Sequence, residues 1–552
     1  MKKSKLFLFI VAMITNVIFF AQPQFLFVAG KQDLGGNMGY SIIQLNTNCN
    51  IIATGYTNNY GAGNGDWLIV NIDTSGALIW AKTIGGTDAD GSTYIDSTHD
   101  GGYVIAGSVS AWLNSNTDIL LVKFDASHNI VFTKTLGTST YSEDVVSLSL
   151  AADSGFYVLA KATDSSETMG ELIKYNSNGN QQWVKLLAVN SAEPTYKTDT
   201  YNDVKATPDG GCIVVGVTWS YRMTDAYNQC IVEKFNSAGT LEWAIVLGHT
   251  DPPYNTLGGY GVELTLDGNY IISGNTGAMA NGGYLFKLSS TGDVMWAKNT
   301  TTAMFSKVAT CYDGGFFVSA ISSFWQPHNS RTFYKFNSAG EIDWIRTDNV
   351  DDGHPNPFDY YGDAFQVSDG FISVASSHKH TIAYGLTNLC IEKFKFDGST
   401  CYSNLVTATV SDVTLVTADI TSTLQANIQD LTVSTSSPVV TPLLQSVDNW
   451  TDCSITNVVS ASLESENNII VYPNPAPGSI KLEICPKKDG DKKYSVVITD
   501  LARRIVWKQL INVSDNEEKH TEELHIESLK PGTYIILIGY EQEQWFNKLI
   551  KL

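Results

Sequence analysis

Short apolar runs alternate with tight polar turns from Phe25 to Phe396, and the alternation is periodic. One phrase recurs along this stretch. It has a strand, an Asp-Gly turn, an apolar strand ending in Gly or Ala and a variable polar loop. A second apolar strand follows, then a Ser-x-Gly turn and a strand carrying a large aromatic. The second copy runs through Thr93–Ser97, Asp100-Gly101-Gly102, YVIAG, ILLVKFD and NIVFTKTLG. The fourth holds Asp209-Gly210-Gly211, CIVVG, CIVEKFN and TLEWAIVLG, and the sixth Asp313-Gly314-Gly315, FFVSA, TFYKFN and EIDWIR. Runs of this length, rich in β-branched and aromatic residues and bounded by glycine turns, predict strands, with four in each copy. The last-strand aromatic falls at Trp80, Phe132, Trp183, Trp243, Trp296 and Trp344, giving successive differences of 52, 51, 60, 53 and 48 residues.

The seventh copy begins near Tyr361, contains Asp369-Gly370, FISVA and CIEKFKF, and reaches Asp397-Gly398-Ser399 without an aromatic strand. That strand is found at the other end of the chain, where FLFVA (Phe25–Ala29) aligns with it and puts Phe27 at the aromatic position. The expected fold is therefore all-β: a seven-bladed β-propeller over residues 22–403, closed by its N-terminal strand so that the ring has no open seam. The recurring residues read as scaffold. Asp-Gly and the glycines at 76, 179, 239, 292 and 340 supply hairpin turns, with His128 the exception. The aromatic series is expected to pack between blades, and a lysine series (Lys123, Lys174, Lys234, Lys287, Lys335, Lys393) recurs with it. The phrase Asp73–Trp80 resembles the tryptophan-docking repeats of quinoprotein-like propellers, which supports the fold and implies no cofactor here.

Composition adds a destination. Lys2, Lys3 and Lys5 precede an apolar run from Leu6 to Phe20 and a small Ala21, the layout of a cleaved secretory signal at 1–21. No later stretch has the ~20 apolar residues of a membrane-spanning helix. Formal net charge is −21. From Asn467 onward 12 basic and 12 acidic residues cancel, so the earlier 23 basic and 44 acidic residues carry all of it (23 − 44 = −21). Such a domain repels phosphate backbones, which excludes nucleic acid as a partner. Of eight cysteines, Cys212, Cys230, Cys311 and Cys390 fall in or beside strands as small apolar side chains, while Cys401 and Cys453 form the pair to test for a disulfide.

After Tyr402 the character changes. Residues 404–466 are rich in Thr, Ser and Val, poor in charge and free of Asp-Gly hairpins, so they read as a linker or as irregular strands on the propeller. From Asn467 four ordered segments follow: IIVYPNPAPGSIKLEI (Pro473, Asn474, Pro475), SVVITDLARRIVW, LKPGTYIILI (Gly532, Tyr534) and KLIKL (Lys548, Lys551). Together they resemble the type A C-terminal sorting domain of the type IX secretion system. The resemblance implies a small β-sandwich over 467–552 that is recognised by the outer-membrane machinery. It also implies a cargo secreted or attached to the outer surface of the outer membrane after crossing the inner membrane.

Candidate chemistry falls on the long, non-repeating loops of one propeller face, where function concentrates on a rigid frame. Aromatics there suit sugar stacking: Tyr60, Trp112, Trp219, Tyr221, Trp325 and Tyr384 between second and third strands, Tyr254, Tyr360 and Tyr361 between blades. Asp88, Asp90, Asp251, Asp351 and Asp352 are the acidic residues on those loops that could act as paired carboxylates. His378 and His380 lack the company of a metal site, there is no calcium-loop motif, and no metal or cofactor is expected. The leading expectation is a non-catalytic binding protein that contacts a glycan or a protein by its long-loop face. A polysaccharide-active hydrolase or lyase and a structural surface component are the alternatives.

Overall fold

Every regular element among the described residues is a β-strand, as the period-two runs and glycine turns dictate. The structure is a computed structural model. It describes residues 25–30, 36–45, 50–110, 116–189, 198–221, 228–248, 256–276, 282–322, 331–348, 360–367, 370–377 and 387–400, then short strands and residue 410 between 403 and 452, and the strands of 468–551 with residues 514, 519 and 526–529 of their connections. Two compact units result, one of Gln24–Leu45 with Asn50–Ser454, the other including Ile455–Leu552.

The first unit is a seven-bladed propeller. Each blade is an antiparallel meander; blade 1, for example, comprises Asn37–Gln44, Ile51–Thr57, Asp66–Ile72 and Leu78–Ile84. The first strands of successive blades pack against one another in a closed ring, so they line the axis. Blade 7 takes Tyr360–Val367, Gly370–Ser377 and Asn388–Phe394 from the end of the repeat region and Leu26–Gly30 from the N-terminal end as its fourth strand. The closure read from the sequence is present, with one correction. Lys393 N–H donates to the Phe25 carbonyl at 3.0 Å and Leu26 faces Glu392, so Phe25, not Phe27, stands where Trp243 stands opposite Lys234. Phe27 is instead buried in the core between blades 7 and 1.

Both repeated series have a visible job. The aromatic of each blade lies against the last turn of the next. A Cβ on Gly179, Gly239, Gly292, Gly340 or Gly398 would meet Phe132, Trp183, Trp243, Trp296 or Trp344 within 3.2 Å, and one on Gly76 would meet Phe25 at 2.6 Å. In blade 2 the turn residue is His128, which adopts φ 63° and stands edge-on to Trp80 at 5.0 Å. The lysines reach back to the aspartate of their own blade's Asp-Gly turn or its equivalent: Lys123–Asp100 at 2.7 Å, Lys174–Asp153 at 2.8 Å, Lys234–Asp209 at 2.8 Å, Lys287–Asp267 at 2.6 Å and Lys335–Asp313 at 2.8 Å. In blade 1 buried Asn71 takes the lysine position, and that blade's turn (Asn46–Asn50) has no aspartate, so the two partners are lost together. Cys212, Cys230, Cys311 and Cys390 are free and buried; Cys401 and Cys453 lie outside the described residues.

A fifth strand lies outside the fourth strand in all seven blades, and all seven come from residues 403–452. They are Ser403–Leu405, Ser411–Asp412, Val416–Asp419, Gln429–Asp430, Ser434–Ser436, Leu443–Gln445 and Asp448–Asp452. The second unit is a two-sheet β-sandwich. Asn468–Tyr472, Ser479–Cys485 and His520–His525 form one sheet; Lys492–Asp500, Ile505–Val513, Gly532–Tyr540 and Glu543–Lys551 form the other. Their alternating apolar residues, among them Leu482, Ile484, Val496, Ile511, Leu524 and Ile536, share one core.

Candidate functional site

Each of the seven axial strands carries a β-bulge. The registers skip Tyr40, Ser92, Val146, Asn202, Tyr260, Ser306–Lys307 and Gly362–Asp363. A bulge leaves its extra residue outside the ladder and turns side chains out of the strict alternation, which is how sheets re-aim residues at sites. Here it brings polar side chains of different blades together around the axis.

All seven blades contribute. Ser41 of blade 1 donates to Asp363 Oδ2 of blade 7 at 3.1 Å, and Ser147 of blade 3 donates to Asp203 Oδ1 of blade 4 at 2.6 Å. Lys307 of blade 6 passes over blade 5 to place Nζ 3.0 Å from Asp203 Oδ1. Lys205 of blade 4 pairs with Glu263 of blade 5 at 2.6 Å. Asp96 of blade 2 accepts the backbone N–H groups of Ser97 and Leu150, each at 2.8 Å. The rings of Tyr40 and Tyr94 stack with centroids 6.4 Å apart. Lys205, Glu263, Lys307 and Asp203 keep 35, 22, 17 and 13% of their side-chain exposure, so the axis is in contact with water although protein surrounds it.

Four carboxylates face two ammonium groups, a formal excess of two negative charges (4 − 2). Burial pushes the Asp363 carboxyl up to about 6, against the pull of Lys307, Lys205 and Ser41 and with the repulsion of Asp203. Burial also raises Asp96, partly offset by Lys205 and by its two backbone donors, and it raises the Tyr94 phenol, with Asp203 and Asp363 adding to it. Burial alone would lower Lys205, but Glu263, Asp96 and Asp203 outweigh it and hold the ammonium above its ordinary value. The result is a wet cluster with acceptors, donors, an aromatic pair and one carboxyl that changes charge near pH 6. Glu143 and Glu233, both raised to about 8 by burial, lie among the blades' buried strands and belong to packing.

Some of the loop residues expected from the sequence are among the described residues. Tyr60 donates its hydroxyl to the Gly30 carbonyl at 2.7 Å and packs on the core between blades 7 and 1. Tyr221 packs on the core between blades 3 and 4. Trp219 is half-buried, and its backbone N–H donates to the Thr198 carbonyl at 3.2 Å. Tyr360 begins the axial strand of blade 7, and its side chain is outside the described set; Trp112, Trp325, Tyr254, Tyr384, His378, His380, Asp251, Asp351 and Asp352 lie outside the described residues altogether. Asp88 is exposed. Asp90 is buried and ties connections together: its carboxylate accepts Gly86 N–H at 2.6 Å and Ser110 N–H at 2.8 Å, and burial lifts it to about 6. The axial set was not singled out from the sequence, although a signal for it exists. Asp96, Asp203, Lys205, Glu263, Lys307 and Asp363 are charges that do not repeat, on a strand whose neighbours do.

Among the described residues no group of three or more His, Cys, Asp or Glu is placed to hold a metal ion, and no helix is long and apolar enough to cross a membrane. In the second unit Gly532 faces Lys551, Lys548 faces Ile535, and Tyr534 packs against the sandwich core; Pro473, Asn474 and Pro475 lie outside the described residues.

Comparison with curated proteins finds no match. Among solved structures, the Dos1 propeller aligns at 11% identity over 72% of this chain and 88% of its own, with a TM-score of 0.38. A protein of unknown function from Dyadobacter fermentans DSM 18053 aligns at 11% identity over 66% and 97%, with a TM-score of 0.41. The polysaccharide lyase Uly1 aligns at 9% over 68% and 98%, with a TM-score of 0.40. Residues 470–552 match the secretion system C-terminal sorting domain, so this chain is a β-propeller that the type IX machinery exports across the outer membrane, to be secreted or held at the cell surface.

Proposed function

We propose that the exported propeller is a binding protein for a glycan, taken at the axial cluster and the adjoining long-loop face. The observation that carries this reading is the set of seven bulges, which brings Asp203, Asp363, Lys307, Ser41 and the stacked Tyr40–Tyr94 pair to one axis. A polyhydroxylated ligand needs this mixture: charged acceptors and donors for its hydroxyls and aromatic faces for its ring C–H groups. Trp219, half-buried at the start of its loop, offers a further aromatic for the rim. A polysaccharide-active enzyme remains the second reading on one specific observation, the carboxyl of Asp363 held up to about 6 beside the Asp203 charge, which suits a proton donor.

The test is a glycan array on the full chain beside Asp363→Asn, Lys307→Met and Trp219→Ala variants, with the melting temperature of each recorded. Wild-type binding that falls at least tenfold in Asp363→Asn or Lys307→Met, with the fold retained as judged by a cooperative melt, supports the axial site. Binding lost only in Trp219→Ala moves the site to the rim. Absence of any glycan binding by folded protein overturns the ligand class and leaves a protein partner or a structural role. Release of reducing ends from a bound polysaccharide would replace binding by catalysis.

A further inference from the structure

Residues 403–452 lay one short antiparallel strand on the outer edge of every blade, in the order 6, 5, 4, 3, 2, 1, 7. This is a single circuit of the ring, run against the order in which the blades were made. Six of the seven strands have two to four residues, while the last, Asp448–Asp452, has five. That longest strand lies on Leu26–Gly30, pairing along its whole length. Leu26–Gly30 is the strand that closes the ring. On its inner side it pairs with Asn388–Phe394 through Leu26–Ala29, and no chain connection joins it to blade 7. The ring can open at this seam only by drawing out a strand held on both edges.

We infer that the 403–452 circuit is a latch: its terminal strand locks the N-terminal strand into blade 7, and the rest of the circuit covers the six other open edges. Contacts of this kind need the completed ring as their template, so they form late and act on the opening rate more than on folding. The latch also places on the outside of the blades short strands that carry Asp412, Asp419, Asp430, Asp448 and Asp452, and short charged edges resist pairing with another chain.

Amide exchange on the full chain tests the latch. Asn449→Pro/Thr451→Pro releases the terminal strand; Thr435→Pro disturbs only the strand on blade 2. The first variant should accelerate exchange at Leu26–Gly30 at least tenfold, the second should leave it unchanged, and the axial strands should stay protected in both. Unchanged exchange at Leu26–Gly30 with 448–452 released, or equal acceleration by both variants, overturns the latch. Should the double-proline chain fail to fold, exchange of the unaltered chain in graded denaturant decides. Residues 448–452 must lose protection no later than residues 26–30, and the reverse order overturns the inference.

Discussion

Asp363 shows how one side chain can serve a site and weaken the fold that carries it. Its carboxyl is raised to about 6 from the model-compound value of 3.8, so the folded state holds the proton more tightly than the unfolded chain. The linkage follows: stability from this group is full below about pH 4, falls as pH rises, and is gone above about pH 6. Asp363→Asn should therefore remove a decline of about 1–3 kcal/mol between pH 4 and 7, allowing for water at the axis, while abolishing ligand binding. Urea unfolding of both proteins at pH 4, 5, 6 and 7 checks it, and parallel curves would show that Asp363 does not titrate in that window. A scaffold lysine should behave otherwise. Lys234 is 3% exposed and lies between Asp209 and Glu242, both partly in solvent, so Lys234→Met should cost about 1–2 kcal/mol with no effect on binding. The lysine's repetition was legible as scaffold. Asp363 was not legible as a site residue, because only a two-residue bulge separates it from an ordinary position in the strand.

At the level of elements, aromatic-to-turn contacts and polar pairs join the blades, and among the described pairs Arg331–Glu392 is buried on both sides. Gly340 has φ 79° and would place a Cβ 3.0 Å from Trp296, so Gly340→Ala meets both backbone strain and a clash. It should destabilise by about 1–3 kcal/mol, measured as a lower urea midpoint at constant slope. Arg331 of blade 6 and Glu392 of blade 7 pair at 2.9 Å with each side chain 1% exposed. Glu392→Gln removes one charge of this buried pair and should cost about 3–5 kcal/mol in the same assay. Strand identity, turn position and blade count could be read at this level, since each depends on residues a few positions apart. Phe27 was read in place of Phe25 for a physical reason. A shift of two residues keeps every side chain on its own face, so alternation cannot detect it, and only docking on the Gly76 turn selects the right register.

For the whole molecule, the propeller unit runs to Ser454, well past the last repeat. A chain of residues 24–454 should be monomeric by size-exclusion chromatography with light scattering, whereas residues 24–402 should form higher oligomers through seven uncovered blade edges. Equal monodispersity of the two would show that the covered edges are harmless by themselves. The same comparison bears on ligand assays, because a shortened chain tests a ring with an unlocked seam.

The strands of the repeats, their turns, the number of blades, the use of the N-terminal strand to close them and the sorting domain that exports the chain were legible in the order of residues alone. Each is written in local chemistry, in alternation, in glycines at turns or in a motif of fixed order, and repetition multiplies the signal. Tertiary structure alone decided which charges meet at the axis and where residues 403–452 run. Lys307 reaches Asp203 only because the closed ring turns the axial strands of blades 6 and 4 toward one axis across blade 5, although the two residues are 104 apart in the chain (307 − 203). A strand of two residues, such as Ser411–Asp412, has no propensity of its own and exists because a finished blade edge offers it unpaired backbone groups.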